Sequence, residues 1–209
     1  MKSKLLFPLA VILVTLNFSC SKSPDLTQLS ANFIVATNID KEATFTSYKT
    51  YYVSDTIALI KGSATDTIWN DAKSKQLVDA VKKNMASLGY TFVNKGAKPD
   101  IGINMLAVKV INVGVVYPGW GWGYAGWWDP WYWGWYYPYY YPWSVYYTVT
   151  TGSVSIDMID LKNATPKQQL RVVWSTLLGG ALGYSGDDIQ NAVNAIDQAY
   201  LQSPGLKTN

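Results

Sequence analysis

Gly152-Ser153-Val154-Ser155-Ile156-Asp157-Met158-Ile159-Asp160-Leu161 alternates, with Val154, Ile156 and Met158 on one side and Ser155 and Asp157 on the other. A period of two marks a β-strand, because successive side chains point to opposite faces. The strand extends back to about Val145. Upstream, Asp100–Tyr117 is a long β-rich run containing Ile101, Ile103, Met105 and Val108. Downstream, Arg171–Leu178 reads as a further strand. Ala31–Ala36 and Thr50–Val53 are β-rich, Tyr90–Val93 suits a short strand, and residues 54–66 read as loop.

Two segments break the period of two. Trp69, Ala72, Leu77, Val81, Met85 and Leu88 fall on one helical face, with Asp71 near the start, Lys82 and Lys83 near the end, and Gly89 as C-cap. A last helix runs from about Asp187 to Leu201. Ser185 is its candidate cap, its apolar face is Ile189, Ala192, Val193, Ile196 and Tyr200, and Pro204 stops it. Strands in a run, with one helix early and one at the end, predict an α+β fold. The expected form is an antiparallel sheet with two helices packed on one face. A doubly wound parallel sheet would need more regular alternation of strand and helix.

Residues 117–147 hold eight of the ten tryptophans and ten of the sixteen tyrosines. This block lies between two predicted strands, and Asp129-Pro130 is a turn signal near its centre. It reads as the extended tip of a long β-hairpin, an insert within one domain spanning 31–209. Trp120, Trp122 and Tyr124 alternate with glycine, so an extended chain puts these rings on one face. Pro130, Pro138 and Pro142 argue against one continuous paired strand. Trp120, Trp122, Tyr124, Trp127, Trp128, Trp131, Trp133 and Trp135 are the candidate contact surface. Tyrosine and tryptophan favour interfaces, so the options are a membrane headgroup zone, stacking on sugar faces, packing on protein, or a low-complexity insert with no unique ligand. A domain of this size cannot bury so many rings, so removal of 118–143 is expected to leave the rest folded.

The single cysteine, Cys20, follows Lys2, Lys4 and an apolar run from Leu5 to Leu16, with Ser19 just before it. That layout is a secretory signal over residues 1–19, too short to span a bilayer. Cys20 is the expected lipid acceptor and 20–30 a flexible tether. Ser21 suggests outer-membrane sorting. With Asp25 the only acid in the tether, the periplasmic face is expected. Net charge is +3 for the whole chain. With one arginine and no basic stripe, nucleic-acid binding is not expected. The chain has no histidine, and its cysteine is committed to the anchor, which removes the usual zinc ligands, triads and thiol chemistry. No metal or cofactor is expected.

An acid–base hydrolase needs two carboxylates facing one cleft. Asp157 and Asp160 point to opposite faces of a regular strand. Asp187 and Asp188 suit a helix start, as do Asp66 and Asp71 near the first helix, and Asp129 suits a turn. Gly179, Gly180 and Gly183 do not have phosphate-loop spacing and are expected to form the turn into the last helix.

Phe45 with Tyr48-Lys49-Thr50-Tyr51, Gly89-Tyr90, Pro99-Asp100, the 152–160 strand, Val172-Val173-Trp174 and the helix with Ile189, Ala192-Val193 and Ile196 occur in this order. Together they resemble domain-of-unknown-function family 4136, a group of bacterial lipoproteins. Members similar to this chain often carry a Gly/Trp/Tyr-rich stretch at the same place. They usually follow the tryptophan with a basic residue and glycine, where this chain has Ser175-Thr176. The resemblance implies an α+β envelope domain and supplies no catalytic residues. The functional expectation is a non-enzymatic lipoprotein that binds or scaffolds in the cell envelope, held to the membrane by lipid, with an envelope protein or a glycan as partner. A glycan-binding lipoprotein is the alternative and a carboxylate-only hydrolase the third.

Overall fold

The computed structural model describes residues 33–61, 68–110, 139–143, 151–164, 169–183 and 185–208. In chain order the elements are β1 (Ile34–Ile39), β2 (Thr50–Val53), β3 (Ile57–Lys61), β4 (Ile68–Trp69), α1 (Ala72–Ser87), β5 (Thr91–Phe92), β6 (Ile101–Val110), β7 (Tyr139–Tyr140), β8 (Ser153–Asp160), β9 (Leu170–Gly179) and α2 (Ile189–Leu201). The class is α+β: the described residues form one large sheet and two long helices.

The sheet is mixed rather than antiparallel. Its main path is β1-β9-β8-β6-β2-β5. β8 pairs antiparallel with β6 and β9, and β9 pairs antiparallel with β1. On the far side of β6 the neighbours are parallel: β2 meets its first half and β3 its second. The reason is the connection. β2 reaches β6 through α1, and a crossover carrying a helix returns the chain parallel. The expected loop at 54–66 contains β3. Its Ile57, Ala58 and Leu59 are buried, and a short apolar run without alternation carries no periodicity by which to recognise a strand.

The alternation at 154–158 points as expected. Val154, Ile156 and Met158 are fully buried in one cluster with Leu77, Val81 and Met85 of α1 and Ala192, Ile196 and Tyr200 of α2. Trp174 anchors this cluster from β9. Its ring lies 5.0 Å from that of Tyr200, and its indole N–H donates to Ser203 Oγ at 2.9 Å. The opposite face carries two smaller buried groups, one around Ile159, Leu170 and Val172 and one around Leu106, Val108 and Leu177. The central strands are thus covered on both faces.

Helix ends follow local chemistry. Asp71 accepts from Lys73 and Ser74 backbone N–H groups at 2.8 and 2.9 Å, and Ser74 Oγ accepts from the Asp71 N–H, a capping box. This starts α1 three residues later than its apolar period suggests and leaves Trp69 in β4. The cap of α2 is Asp188 rather than Ser185, with its carboxylate accepting from Asn191 N–H at 3.1 Å. Gly89 takes the left-handed conformation after α1 (φ 93°), as a C-cap glycine should.

Candidate functional site

Cys20 and the ring residues Trp120, Trp122, Tyr124, Trp127, Trp128, Trp131, Trp133 and Trp135 lie outside the described residues. The described part of the aromatic block is Tyr139–Trp143, and its position differs from a hairpin tip. β6 and β8 are antiparallel neighbours, and at the end nearest the block Val108 faces Ser153. Tyr140 instead pairs with Arg171, which faces Asp160, which faces Ile101. That level is nine residues down β6 from Val110, about 30 Å at ~3.3 Å per residue. β7 therefore docks at the opposite end of the sheet, parallel to the start of β9 and beyond the end of β1.

Three side chains hold this segment. The Tyr141 and Trp143 rings meet edge to face at 6.0 Å and pack against Ile159, Leu161, Leu170 and Val172. The Tyr141 hydroxyl donates to Asp157 Oδ2 at 3.3 Å. Tyr140 stays 40% exposed, with its ring 5.5 Å from the Arg171 guanidinium, within cation–π range. Residues 139–143 thus belong to the sheet packing, so a deletion of 118–143 would also remove these sheet contacts.

Asp157 is buried in the face away from the helices. Its register partners are Asn104 on β6 and Ser175 on β9, both buried and neutral. Burial pushes its carboxyl up to about 7, and the Tyr141 hydrogen bond acts the other way. Ser175 Oγ and the Trp143 indole N–H are buried with no hydrogen-bond partner among the described residues.

Beside this segment lies a cleft of about 400 Å³, lined among others by Asp40, Glu42, Ser47, Tyr48, Asp160 and Arg171. Arg171 is the only arginine in the chain. Its Nε donates to Asp40 Oδ2, and one terminal nitrogen donates to Asp40 Oδ1 at 3.0 Å and Glu42 Oε2 at 2.7 Å. The Asp40 carboxylate, joined by that of Glu42, holds the guanidinium proton more tightly than usual. Asp160 accepts from the Asn163 backbone and side-chain amides at 3.0 and 2.7 Å. Burial, followed by the Asp160 charge, pushes the Tyr48 hydroxyl well above its ordinary range. Asp40 and Asp160 are both buried, so two carboxylates face the cleft with one guanidinium bridging outward to Glu42.

Asp157 and Asp160 do not converge: the first meets Tyr141, the second Asn163 and the cleft. Asp187 pairs with Lys73 and Lys109 at 3.3 and 3.2 Å, a tie between the turn before α2 and the rest of the domain. Among the described residues no three acidic side chains are arranged to hold a metal ion. The cleft was not legible in advance. Arg171 and Asp40 are 131 positions apart, and its one sequence signal is the rarity of arginine.

Residues 35–205 match DUF4136, a domain of unknown function. The crystal structure of a DUF4136 family protein from Bacteroides thetaiotaomicron VPI-5482 at 1.60 Å resolution is 32% identical. It aligns with a TM-score of 0.72 over 86% of this chain and 100% of that chain. A PelC dodecamer structure from Paraburkholderia phytofirmans is 11% identical, with a TM-score of 0.39 over 85% of this chain and 99% of that chain. No curated protein matches the chain. A family match over residues 35–205, with a solved member covered end to end, establishes that the chain belongs to the DUF4136 family.

Proposed function

We propose that this protein is a non-catalytic, lipid-anchored module of the cell envelope that binds or scaffolds through its Trp/Tyr-rich segment. The observation that supports this reading is the docked end of that segment. Tyr139–Trp143 is fastened to the sheet by pairing, packing and a hydrogen bond, while the Tyr140 ring remains open to solvent over Arg171. While it is docked on the sheet, the segment can offer rings to a partner at a small ordering cost.

The anchor is tested by Cys20→Ala, which should move the protein from the membrane to the soluble fraction. On intact cells the unaltered protein should resist added protease, as a periplasmic-facing outer-membrane lipoprotein does. Unchanged fractionation would remove the lipid from the proposal, and prompt digestion would place the protein on the cell surface.

The contact surface is tested by deleting 120–135. This removes all eight candidate rings and leaves 111–119 and 136–138 to span the ~35 Å between Val110 and Tyr139, counted along the strands and across three strand spacings, within reach of an extended chain. The variant should melt within a few degrees of the full chain yet lose capture of envelope components in a pull-down. Undiminished capture would overturn the contact-surface reading.

A second reading, glycan binding, has its own support. An exposed tyrosine ring beside a cleft lined with carboxylates and the Asn163 amide offers stacking for a sugar face and acceptors for its hydroxyls. In the same assay Tyr140→Ala should abolish capture if the ligand is a saccharide, and leave it intact if the contact is made only by 120–135.

A further inference from the structure

We propose that Tyr139–Trp143 is a proton-operated latch, which holds to the sheet while the Asp157 carboxyl is protonated and lets go when it ionises. The seam between this segment and the sheet is poorly satisfied. Asp157 is only 6% exposed, and its one resolved hydrogen bond, from Tyr141, is long at 3.3 Å. Ser175 Oγ, directly abreast of it on β9, and the indole N–H of Trp143 have no hydrogen-bond partner among the described residues. Under-bonded buried polar groups are costly, and three at one interface mark a place that opens before the core does.

Among the described residues no cation compensates the charge. Towards Asp157, β6 presents Asn104, β9 presents Ser175 and the docked segment presents Tyr141. Tyr52 of β2 packs on the same apolar group, and burial holds its hydroxyl above the ordinary range, so it stays neutral. Arg171, one strand away at the foot of β9, is engaged by Asp40 and Glu42. Lys109 of β6 is paired with Asp187. An ionised Asp157 would thus be a buried carboxylate with no counter-ion among the described residues.

The direction follows from linkage. Burial pushes the docked carboxyl up to about 7, whereas a solvated aspartate titrates near ~3.9. Between those values the released form binds fewer protons, so rising pH favours release, by up to about tenfold per pH unit. Above about pH 7 the balance no longer changes. The core on the helix side of the sheet, around Trp174 and Tyr200, takes no part in this.

The test is amide hydrogen exchange in the full chain, read on a peptide spanning 139–143. The rate in the unaltered protein is divided at each pH by that in Asp157→Asn, which cancels the intrinsic pH dependence of exchange. The ratio should rise about tenfold or more from pH 5 to pH 8, while peptides from α1 and α2 keep a constant ratio. A ratio for 139–143 that stays flat would overturn the latch. Tyr141→Phe, compared with the unaltered chain, gives an independent reading should Asp157→Asn fail to fold. It removes the one resolved donor to Asp157, a bond that holds the docked carboxyl down, so the pH at which opening levels off should move upward, and an unshifted profile would likewise overturn the proposal.

Discussion

Gly152→Ala is expected to lower stability by more than about 3 kcal/mol, seen as a fall in Tm of roughly 10 °C or as failure to fold. Gly152 precedes β8 in a left-handed conformation, φ 78°, where a Cβ is strained. An added Cβ would also stand 2.1 Å from the Gly183 carbonyl oxygen, inside any possible contact distance. The approach is held from both sides. The Gly152 N–H donates to Val108 C=O at 2.8 Å, and its carbonyl accepts from Leu182 N–H at 2.7 Å. These bonds join the β6–β8 pair to the turn that leads into α2, so relief of the clash must pull that junction apart. Thermal and denaturant melts measure it. A Tm within about 2 °C of the unaltered protein would show that the junction admits a methyl group at little cost and would overturn this prediction.

Arg171→Ala is the second large effect, about 3 kcal/mol of lost stability at neutral pH. Arg171 is itself mostly buried, and its removal takes the two-pronged guanidinium contact away from the Asp40 carboxylate, which is 3% exposed. The Glu42 backbone N–H at 3.0 Å remains as partial compensation. Acidification protonates the carboxylate that has lost the guanidinium, so the deficit relative to the unaltered protein should shrink between pH 7 and pH 4. A double replacement by apolar residues, Asp40→Leu with Arg171→Leu, should recover most of the loss, since no buried charge is stranded. A deficit below 1 kcal/mol, or one independent of pH, would mean that Asp40 finds other solvation when the guanidinium goes.

Both predictions rest on pairs that no local reading joins. The glycines at 179–183 were legible as the turn into the last helix, but the partner of Gly183 across the fold was not. Arg171 stood out by rarity alone, and Asp40 not at all. The capping box at Asp71 and Ser74 is local and would have been found from residue spacing, since an N-cap and its N3 partner are three positions apart. The apolar rhythm instead placed the start of α1 at Trp69, because Trp69 is buried for a different reason, as part of β4 under Lys109, whose ammonium lies 3.8 Å from the ring centre.

By itself the sequence determined the elements that repeat at short range: the strands around Ile103, Ile156 and Val173, the two amphipathic helices, and the α+β class. Those patterns are set by neighbours two to four positions apart, and a period is visible without knowing the partner. Only the tertiary structure decided the parallel pairing of β2 and β3 with β6, the return of Tyr139–Trp143 to the far end of the sheet, and the burial of Asp157. Strand order and direction depend on where a connection crosses, which periodicity does not encode. Asp157 alternates with apolar residues as a solvent-facing side chain would. Whether that second face meets water or the rings of Tyr141 and Trp143 is settled by chain that is distant in sequence.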